Sequence, residues 1–559
     1  MGLGILVGGF LLAFLVLPIV LTIAAGFFHD GRISAYWLGR VAGNENHLIE
    51  LLNGLTLASV TTALCLVVAV PLAAIRTRWR FVGSGLLGAL VLVPLILPPF
   101  VGALSIRRLL SQAGTLNLML ERVGLLDGPL QSWPDWLGSG FVAVVVLQVL
   151  HLFPILYLNA SAALANVDPA AVQAARNLGA GPVRAFFRVT LPLIRPGLFA
   201  GGTIVFIWSF TDIGTPLIVG YNQLIPVTVF QDLSQAEVSP KTYSLVFVML
   251  STAVALYVLG KFVFGRGASA EASKASVASE TRRLGPVGTL GAWLLFLVVI
   301  AAALMPHVGV VLTALAGRWI NTILPGSYTL AHLRFVVTNP ATYRSILNSL
   351  MYAGTSTTVD LVLGCIAAWL LIRSRIRGRG ALDGLCMLPL AVPGLILAAG
   401  YVAMTAPGSP LEAIGPHRNP FVILVIAYAV RRLPFVVRGV SAGLQQVPVA
   451  MEEAGQNLGA TRWRVTLRIT LPLVAANVIA AGVLTLAFAM LEVSDSLILA
   501  QLREHYPISK AIFYHARRGA GEADSIASAL GVYGMLLLGG TFAAAGALMG
   551  KRLGAIFRA

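Results

Sequence analysis

Charged residues are scarce in this chain. Asp, Glu, Lys and Arg together make up 11% of its 559 residues, whereas 57% of the residues are hydrophobic. A soluble chain of this length lacks the core volume to bury so much apolar surface in domains of ordinary size. The composition therefore excludes an ordinary soluble protein and predicts that lipid is the solvent for much of the chain.

Cysteine is also rare. The three thiols, Cys65, Cys365 and Cys386, lie in or beside apolar stretches, with neither CxxC spacing nor nearby histidines. This distribution excludes a disulfide framework and a zinc site, so no metal site is predicted. Packing is the expected role of all three.

A nucleotide-binding loop is missing as well. The phosphate-cradling pattern G-x-x-x-x-G-K-[ST] does not occur, and Gly260-Lys261 is followed by Phe262. The chain is therefore expected to be no enzyme and to bind no cofactor of its own.

Long apolar stretches are what the sequence has instead. Crossing ~30 Å of hydrocarbon takes roughly 20 apolar residues at ~1.5 Å per residue. Twelve stretches qualify, near 4–27, 55–75, 85–105, 139–163, 193–220, 243–264, 287–316, 346–372, 381–405, 419–442, 473–500 and 526–550. The first has no preceding Lys or Arg and is longer than a cleaved signal core, so we interpret it as a retained span. The sequence thus predicts an all-α polytopic membrane protein with about 12 transmembrane helices.

The net charge of +17 is distributed unevenly between alternate loops. With the N-terminus inside, 25 of the 39 Lys and Arg residues fall on segments assigned to the cytoplasm, among them Arg431, Arg432 and Arg438. This is the positive-inside bias of a membrane protein, so nucleic-acid binding is not needed to explain the charge. Both termini are predicted to be cytoplasmic.

The chain contains an internal repeat. The segment VDPAAVQAARNLGAGPVRAFFRVTLPL from Val167 matches VPVAMEEAGQNLGATRWRVTLRITLPL from Val447, a displacement of 280 residues. Around Pro94 and Pro389 the displacement is 295 residues. We therefore predict a first half (1–264), a flexible cytoplasmic linker (265–285) and a second half (286–559). Six spans per half give both halves the same orientation in the membrane.

Both repeat centres, 167–192 and 447–472, fall on the cytoplasmic connection between the fourth and fifth spans of their half. In the first copy a helix is predicted over 169–178, ended by Gly179 in the left-handed conformation. A second short helix holds Arg184 and Arg188 on one face, and Thr190 is predicted to cap the next span. Such a hairpin is either a docking element for another protein or a basic helix lying among lipid head groups.

This pattern resembles the EAA loop of type I ATP-binding-cassette (ABC) importer permeases. That motif is Glu-Ala-Ala, three residues, Gly, nine residues, then a hydrophobic residue, any residue and Leu-Pro. The matching residues are Gln173, Ala174, Ala175, Gly179, Val189, Leu191 and Pro192 in the first copy, and Glu453, Ala454, Gly455, Gly459, Ile469, Leu471 and Pro472 in the second. The first copy departs from the motif, because Gln173 replaces its glutamate.

The resemblance implies two parallel six-span repeats of the type I importer permease (MetI-like) fold. It also implies partners: two ATPase subunits that bind the loops, with ATP and Mg²⁺ held by those subunits, and an extracytoplasmic substrate-binding protein. The location implied is the bacterial inner membrane. The fused halves, and the segments LPFVVRGVSAGLQQVPVAMEEAGQNLGA and WSFTDIGTPLIVG, look most like ferric-iron-type permeases. Thiamine, polyamine and 2-aminoethylphosphonate permeases are the alternatives.

Ionisable residues inside a bilayer are costly and are functional candidates. Asp212 and Glu492 are equivalent by the 280-residue repeat. They are predicted either to line the outer part of a solute pathway or to cap helix breaks near Gly214 and Ser494. Asp495 is a third candidate for the pathway, although it has no acidic counterpart in the other half.

Two further features of the spans stand out. Asp360 is also acidic without a counterpart, and His151, which aligns with Arg431, is expected to pack beside a kink. Prolines are predicted to break the third and ninth spans and to free backbone carbonyls there. These prolines are Pro94, Pro98, Pro389 and Pro393.

A twelve-span secondary transporter is the alternative from a different class. The major-facilitator signature would require an acidic residue between the second and third spans, where this chain has RTRWRFVG. A channel would explain the spans but not the paired loops.

Overall fold

The computed structural model describes residues 2–138, 140–235, 238–264, 282–374, 376–390, 392–519 and 521–549. Within these ranges nine helices are long and apolar enough to cross a membrane, or up to eleven if each of two bent helix pairs is one span. The predicted all-α class is confirmed. Most of the predicted linker, 265–281, lies outside the described residues.

The first half contains fourteen α-helices in its described residues. They are α1 (Gly2–Leu11), α2 (Leu17–Gly26), α3 (Tyr36–Ala42), α4 (Glu45–Arg78), α5 (Ser84–Leu90), α6 (Pro99–Leu110), α7 (Thr115–Arg122), α8 (Phe141–Ala165), α9 (Pro169–Asn177), α10 (Pro182–Ala185), α11 (Leu191–Phe210), α12 (Gly214–Val219), α13 (Ile225–Leu233) and α14 (Pro240–Phe264). A π-helical turn, Leu12–Val16, joins α1 to α2.

The second half contains twelve α-helices in the part of it that the structure describes. They are α15 (Pro286–Leu315), α16 (Ala331–Thr338), α17 (Pro340–Arg373), α18 (Arg379–Met387), α19 (Gly394–Met404), α20 (Phe421–Gln446), α21 (Val449–Asn457), α22 (Arg462–Val465), α23 (Leu471–Met490), α24 (Ser494–Leu499), α25 (Ile508–Ala516) and α26 (Glu522–Met549).

Strands are confined to short pairs in the loops. β1 (Phe28–His29) pairs antiparallel with β2 (Arg32–Ile33), and β5 (Ala316–Arg318) with β6 (Ser327–Tyr328). β3 (Trp79–Arg80) pairs in parallel with β4 (Arg282–Arg283), and the Leu284 amide donates to the Arg80 carbonyl at 3.1 Å. The chain therefore enters the second half along the end of α4.

The predicted spans differ from the observed helices at three places. The span predicted over 419–442 corresponds to α20, which is 26 residues long but carries Arg431 and Arg432 near its middle. The spans predicted over 193–220 and 473–500 are each broken, because α11 ends at Phe210 and α23 at Met490 before short helices follow. Both breaks come immediately before the acidic residues Asp212 and Glu492.

The repeat is visible in the packing of the helices. α4 and α17 are both 34 residues long and begin 295 residues apart, and α11 and α23 are both 20 residues long and begin 280 apart. In the first half α4, α8 and α11 pack together, and in the second α17, α20 and α23 do the same. Each half thus builds its core from the same three helices.

The halves are joined by an exchange of their first helices. α2 packs against α19 of the second half, where the Tyr401 hydroxyl donates to the Phe14 carbonyl at 2.7 Å. In return α15 packs against α6 of the first half, where the Ser105 hydroxyl donates to the Pro306 carbonyl at 2.9 Å. Gly400 permits the first contact, since a Cβ there would lie 2.5 Å from the Pro18 carbonyl oxygen.

We expect Gly400→Val to destabilise the protein through this contact. Overpacking of a tight site costs typically ~1–3 kcal/mol because neighbouring backbone must move. The control is Gly354→Val, which places the same side chain on a helix site with no atom within 4 Å. Thermal unfolding in detergent should show a lower midpoint for Gly400→Val than for the control. Equal midpoints would contradict the proposed tightness of the exchange.

Candidate functional site

The two loops predicted to dock a partner, 167–192 and 447–472, have the same local structure. In the first loop α9 begins at Pro169, and the Asp168 carboxylate accepts from the Ala170 amide at 2.8 Å. Gly179 and Gly459 end α9 and α21 with φ of 85° and 83°. This conformation favours glycine, as the sequence predicted.

One detail of the prediction is wrong. Thr190 does not cap a new helix, because α10, a π-helical turn (Phe186–Thr190) and α11 run on without a break. The Thr190 hydroxyl instead accepts from Arg78 Nη2 at 2.5 Å. Arg78 ends α4, so a contact from a distant helix determines the environment of this threonine. The second loop continues into α23 in the same way through Thr466–Thr470.

Most of the predicted docking residues are accessible. Gln173, Ala174, Gly179, Glu453, Ala454 and Gly459 are exposed, Ala175, Leu191 and Pro192 are half-buried, Leu471 and Pro472 are exposed, and Gly455 is buried. A Cβ on Gly455 would lie 2.6 Å from Ile469 Cδ1. In the second loop this position therefore packs α21 against the following helix instead of facing a partner.

Sequence reasoning missed a set of exposed apolar side chains on these loops. Leu178 and Leu458 are 89% and 90% exposed. Two further pairs at the same 280-residue displacement are also exposed, Val183 with Trp463 and Phe187 with Leu467. The repeat itself was the signal, because apolar residues recur at equivalent places on polar, solvent-facing helices.

The two loops are anchored differently. In the second loop Arg373, the last residue of α17, donates from Nε to Glu452 Oε1 at 2.9 Å and from Nη2 to the Val447 carbonyl at 2.7 Å. The Thr470 hydroxyl donates to the same carboxylate oxygen at 3.2 Å. The first loop has Val172 in place of Glu452, so Arg78 bonds Thr190 directly. An ion pair thus joins α17 to the second loop alone.

A cavity of about 150 Å³ lies between the halves. It is bordered by the breaks in the third and ninth spans, where the helix pairs bend by 93° and 101°. These breaks confirm the predicted effect of the prolines. The lining residues are Leu95, Pro98, Pro99, Gln148, His151, Leu152, Trp208, Thr211 and Asp212 of the first half and Gly394, Arg431, Arg432, Phe488, Leu491, Glu492, Val493 and Ser494 of the second.

Asp212 lies beside the cavity and at the start of α12. Its Oδ1 accepts from the Gly214 amide at 3.1 Å and so caps α12. Its Oδ2 accepts from Gln148 Nε2 at 3.2 Å, and the residue lines the cavity. Among the described residues it forms no ion pair. Asp212 is therefore a half-buried carboxylate at the cavity, and its hydrogen-bond donors are neutral.

Glu492, the equivalent residue, lies in a charged cluster. Arg431 Nη1 donates to Glu492 Oε1 at 2.5 Å, and Arg432 Nη2 pairs with Glu492 Oε2. Arg431 also meets Asp495 Oδ2 at 3.3 Å. The assignment of Arg431 and Arg432 to a cytoplasmic segment is therefore wrong. They lie near the middle of α20, and the pairing with Glu492 and Asp495 explains why this helix tolerates them.

His151 and Gly394 occupy the rim of the same cavity. His151 Nδ1 lies 3.0 Å from the Pro94 carbonyl, one of the groups freed by the break in the third span. At the corresponding break in the ninth span, any Cβ on Gly394 would overlap the Arg431 guanidinium. His151 and Arg431, which are equivalent by the repeat, therefore each contact the break in the third or ninth span of the chain.

Comparison with known proteins gives a consistent result. The family model described as "Binding-protein-dependent transport system inner membrane component" matches residues 48–268 and 360–548. The chain is 25% identical to the ferric transport system permease protein FbpB of Actinobacillus pleuropneumoniae, over 86% of this chain and 69% of that protein. A protein of Haemophilus influenzae that carries the name of a ferric transport system permease is also 25% identical, over 87% of this chain and 76% of its own.

A shorter relative matches part of the chain. The molybdenum transport system permease protein ModB of Escherichia coli is 32% identical over 161 residues, which are 27% of this chain and 69% of that protein.

The two loops should contribute unequally to docking. Glu453 is exposed and has no ion pair within the described residues, whereas Gln173 at the equivalent position is neutral. If a docked subunit buries Glu453 against a basic group, loss of that charged partner costs on the order of 3–5 kcal/mol, against ~1–3 kcal/mol for a neutral group. Glu453→Ala should therefore reduce the amount of co-purified ATPase subunit more than Gln173→Ala, and Gln173→Glu should be tolerated. Equal losses from the two alanine variants would refute this asymmetry.

Proposed function

Because the chain belongs to the family of binding-protein-dependent transport system inner membrane components, we propose that it is the permease of an ABC importer, with both transmembrane halves in one chain. Two ATPase subunits bind the loops 167–192 and 447–472, and a substrate-binding protein delivers solute to the opposite face. Both termini and the 265–285 linker are cytoplasmic. ATP binding closes the ATPase pair and rocks the halves about the cavity between them.

The observation that carries this proposal is the pair of docking loops. They lie at equivalent positions, have the same helix and glycine geometry, and present equivalent apolar side chains to solvent. Exposed apolar residues on a folded polar hairpin mark a contact surface for a protein or a membrane, and their recurrence at equivalent places on both loops supports a protein partner at each. A secondary transporter gives no reason for two such hairpins.

Ferric iron is the proposed substrate. Support comes from the relatives named for ferric transport, which align over most of this chain. The cavity is compatible with a hard cation, because carboxylate oxygens are the ligands such ions prefer and both Asp212 and Glu492 line it.

An oxyanion is the second candidate. It is favoured by the molybdenum permease relative and by two arginines at the cavity. Both arginines, however, are already paired with carboxylates in the resting structure. This pairing favours the cation, and thiamine, polyamines and 2-aminoethylphosphonate remain further candidates to be tested alongside it.

Reconstitution tests the proposal. The purified chain alone should hydrolyse no ATP. Hydrolysis and uptake of radiolabelled ferric iron into proteoliposomes should appear when the ATPase and binding protein encoded beside it are added. Molybdate and thiamine serve as competing substrates in the same assay. Robust hydrolysis by the pure chain would overturn the permease assignment, and uptake of molybdate without iron would overturn the substrate.

Asp212→Asn should reduce ferric iron uptake by about tenfold. The amide can still accept from the Gly214 amide, so the helix cap is kept while the charge is lost. A charge-assisted contact exceeds a neutral one by ~1–2 kcal/mol, and ~1.4 kcal/mol is a factor of ten. The control is Asp232→Asn, outside the cavity, where the carboxylate accepts from the Thr242 hydroxyl at 3.0 Å. Unchanged uptake per folded molecule would show that Asp212 acts only as a cap.

A further inference from the structure

Asp360 is a buried carboxylate that the proposed function does not yet use. It lies on α17 and is fully buried, and neither carboxylate oxygen has a hydrogen-bond partner among the described residues. A buried carboxylate without partners is costly, so it is either protonated or close to a group of opposite charge.

The helix packing places Asp360 at the level of Arg432. Gly364, one turn further along α17, lies directly against Val436, and Val436 is one turn beyond Arg432 on α20. α17 and α20 belong to the same three-helix core, and both helices run in the same direction along it. Asp360 and Arg432 each lie one turn before this contact, so they are opposite one another on the two helices.

Other buried polar atoms of this three-helix core also lack hydrogen-bond partners among the described residues. The buried Nε of Arg432 has no hydrogen-bond partner within the described residues. Only the Nη2 of this guanidinium group bonds Glu492. The hydroxyls of Thr357, one turn before Asp360, and of Thr485 on α23 likewise have no partner in the described part of the chain. The unpaired Nε therefore leaves Arg432 with a free donor for a second carboxylate.

The arrangement of charges shows what a movement of Arg432 towards Asp360 would achieve. Glu492 is shared by both arginines, and Arg431 already contacts a second carboxylate, Asp495, at 3.3 Å. Asp360, which forms no ion pair in the described residues, is placed to act as the second carboxylate for Arg432. The cluster therefore has three carboxylates for two guanidinium groups, and Glu492 can be withdrawn without leaving either arginine unpaired.

The first half provides a natural comparison. Asp360 corresponds to Cys65 at the 295-residue displacement of α4 and α17, and Arg432 corresponds to Leu152 at the 280-residue displacement. The acid and the arginine are thus both present in one half and both replaced in the other. Asp212, in the half that lacks them, has no ion pair to release.

We propose that Asp360 is the reserve partner of Arg432 that frees Glu492 for a hard trivalent cation in the cavity. When the cation enters, Arg432 turns to Asp360, Arg431 stays with Asp495, and the carboxylates of Glu492 and Asp212 face the ion. Asp360 is a positioning residue, because it acts on the ion only through Arg432. The proposal rests on the proposed function, in which the solute is ferric iron.

Binding of Tb³⁺ to the full chain in lipid nanodiscs tests this role without transport. Trp208 lines the cavity and can sensitise luminescence of a lanthanide bound there. The wild-type protein should give emission that disappears in Trp208→Phe. Asp360→Asn should weaken Tb³⁺ binding at least tenfold, because Arg432 is then held on Glu492. Asp232→Asn should leave binding unchanged.

A double variant separates positioning from folding. Asp360→Cys combined with Arg432→Leu recreates the first-half pair, removes the need for a reserve carboxylate, and should restore Tb³⁺ affinity to the wild-type value or better. If Asp360→Asn binds Tb³⁺ within twofold of wild type, or if the double variant stays as weak as the single one, Asp360 is not the reserve partner. Absence of any Trp208-dependent emission would also overturn the inference. The permease assignment is tested separately, by co-purification of the chain with the ATPase subunit.

Discussion

The guanidinium groups of Arg431 and Arg432 lie near the middle of α20 among buried residues, where charge is stable only when it is paired. Their pairing with Glu492 holds α20 against the segment between α23 and α24. α23 is broken there, and the freed Glu492 carbonyl accepts from the hydroxyls of Ser496 and Ser509 at 2.6 and 2.8 Å. The cavity between the halves lies beside this break.

The helix that ends before Glu492 connects this cavity to the loop 447–472. From Arg462 to Met490 the chain is helical without interruption, and it ends two residues before Glu492. At ~1.5 Å per residue this is a rod of roughly 43 Å. The first half has an equivalent rod, Pro182–Phe210, that ends two residues before Asp212. A tilt imposed at either loop therefore moves an acidic residue at the cavity directly.

Features determined by local sequence were predictable, and those determined by distant contacts were not. The spans, the repeat and the loop helices with Gly179 and Gly459 follow from apolar length and local backbone preference. Arg431 and Arg432 were assigned to the cytoplasm because a charge count treats every arginine as a loop residue. The partner that overrides this rule, Glu492, lies about 60 residues further along. Thr190 was mistaken for a cap because its true partner, Arg78, is 112 residues away.

The two halves of the chain differ at both ends of these long helical segments, at the cavity and at the loop. The second half has the charged cluster at the cavity and the Arg373–Glu452 pair at its loop, whereas the first has neutral residues at the corresponding positions 152, 172 and 215. Two identical halves would place both arginines on each side of one small cavity, where like charges repel. Because the two fused halves differ in sequence, one half can hold the charge and the other can present Asp212 to the solute.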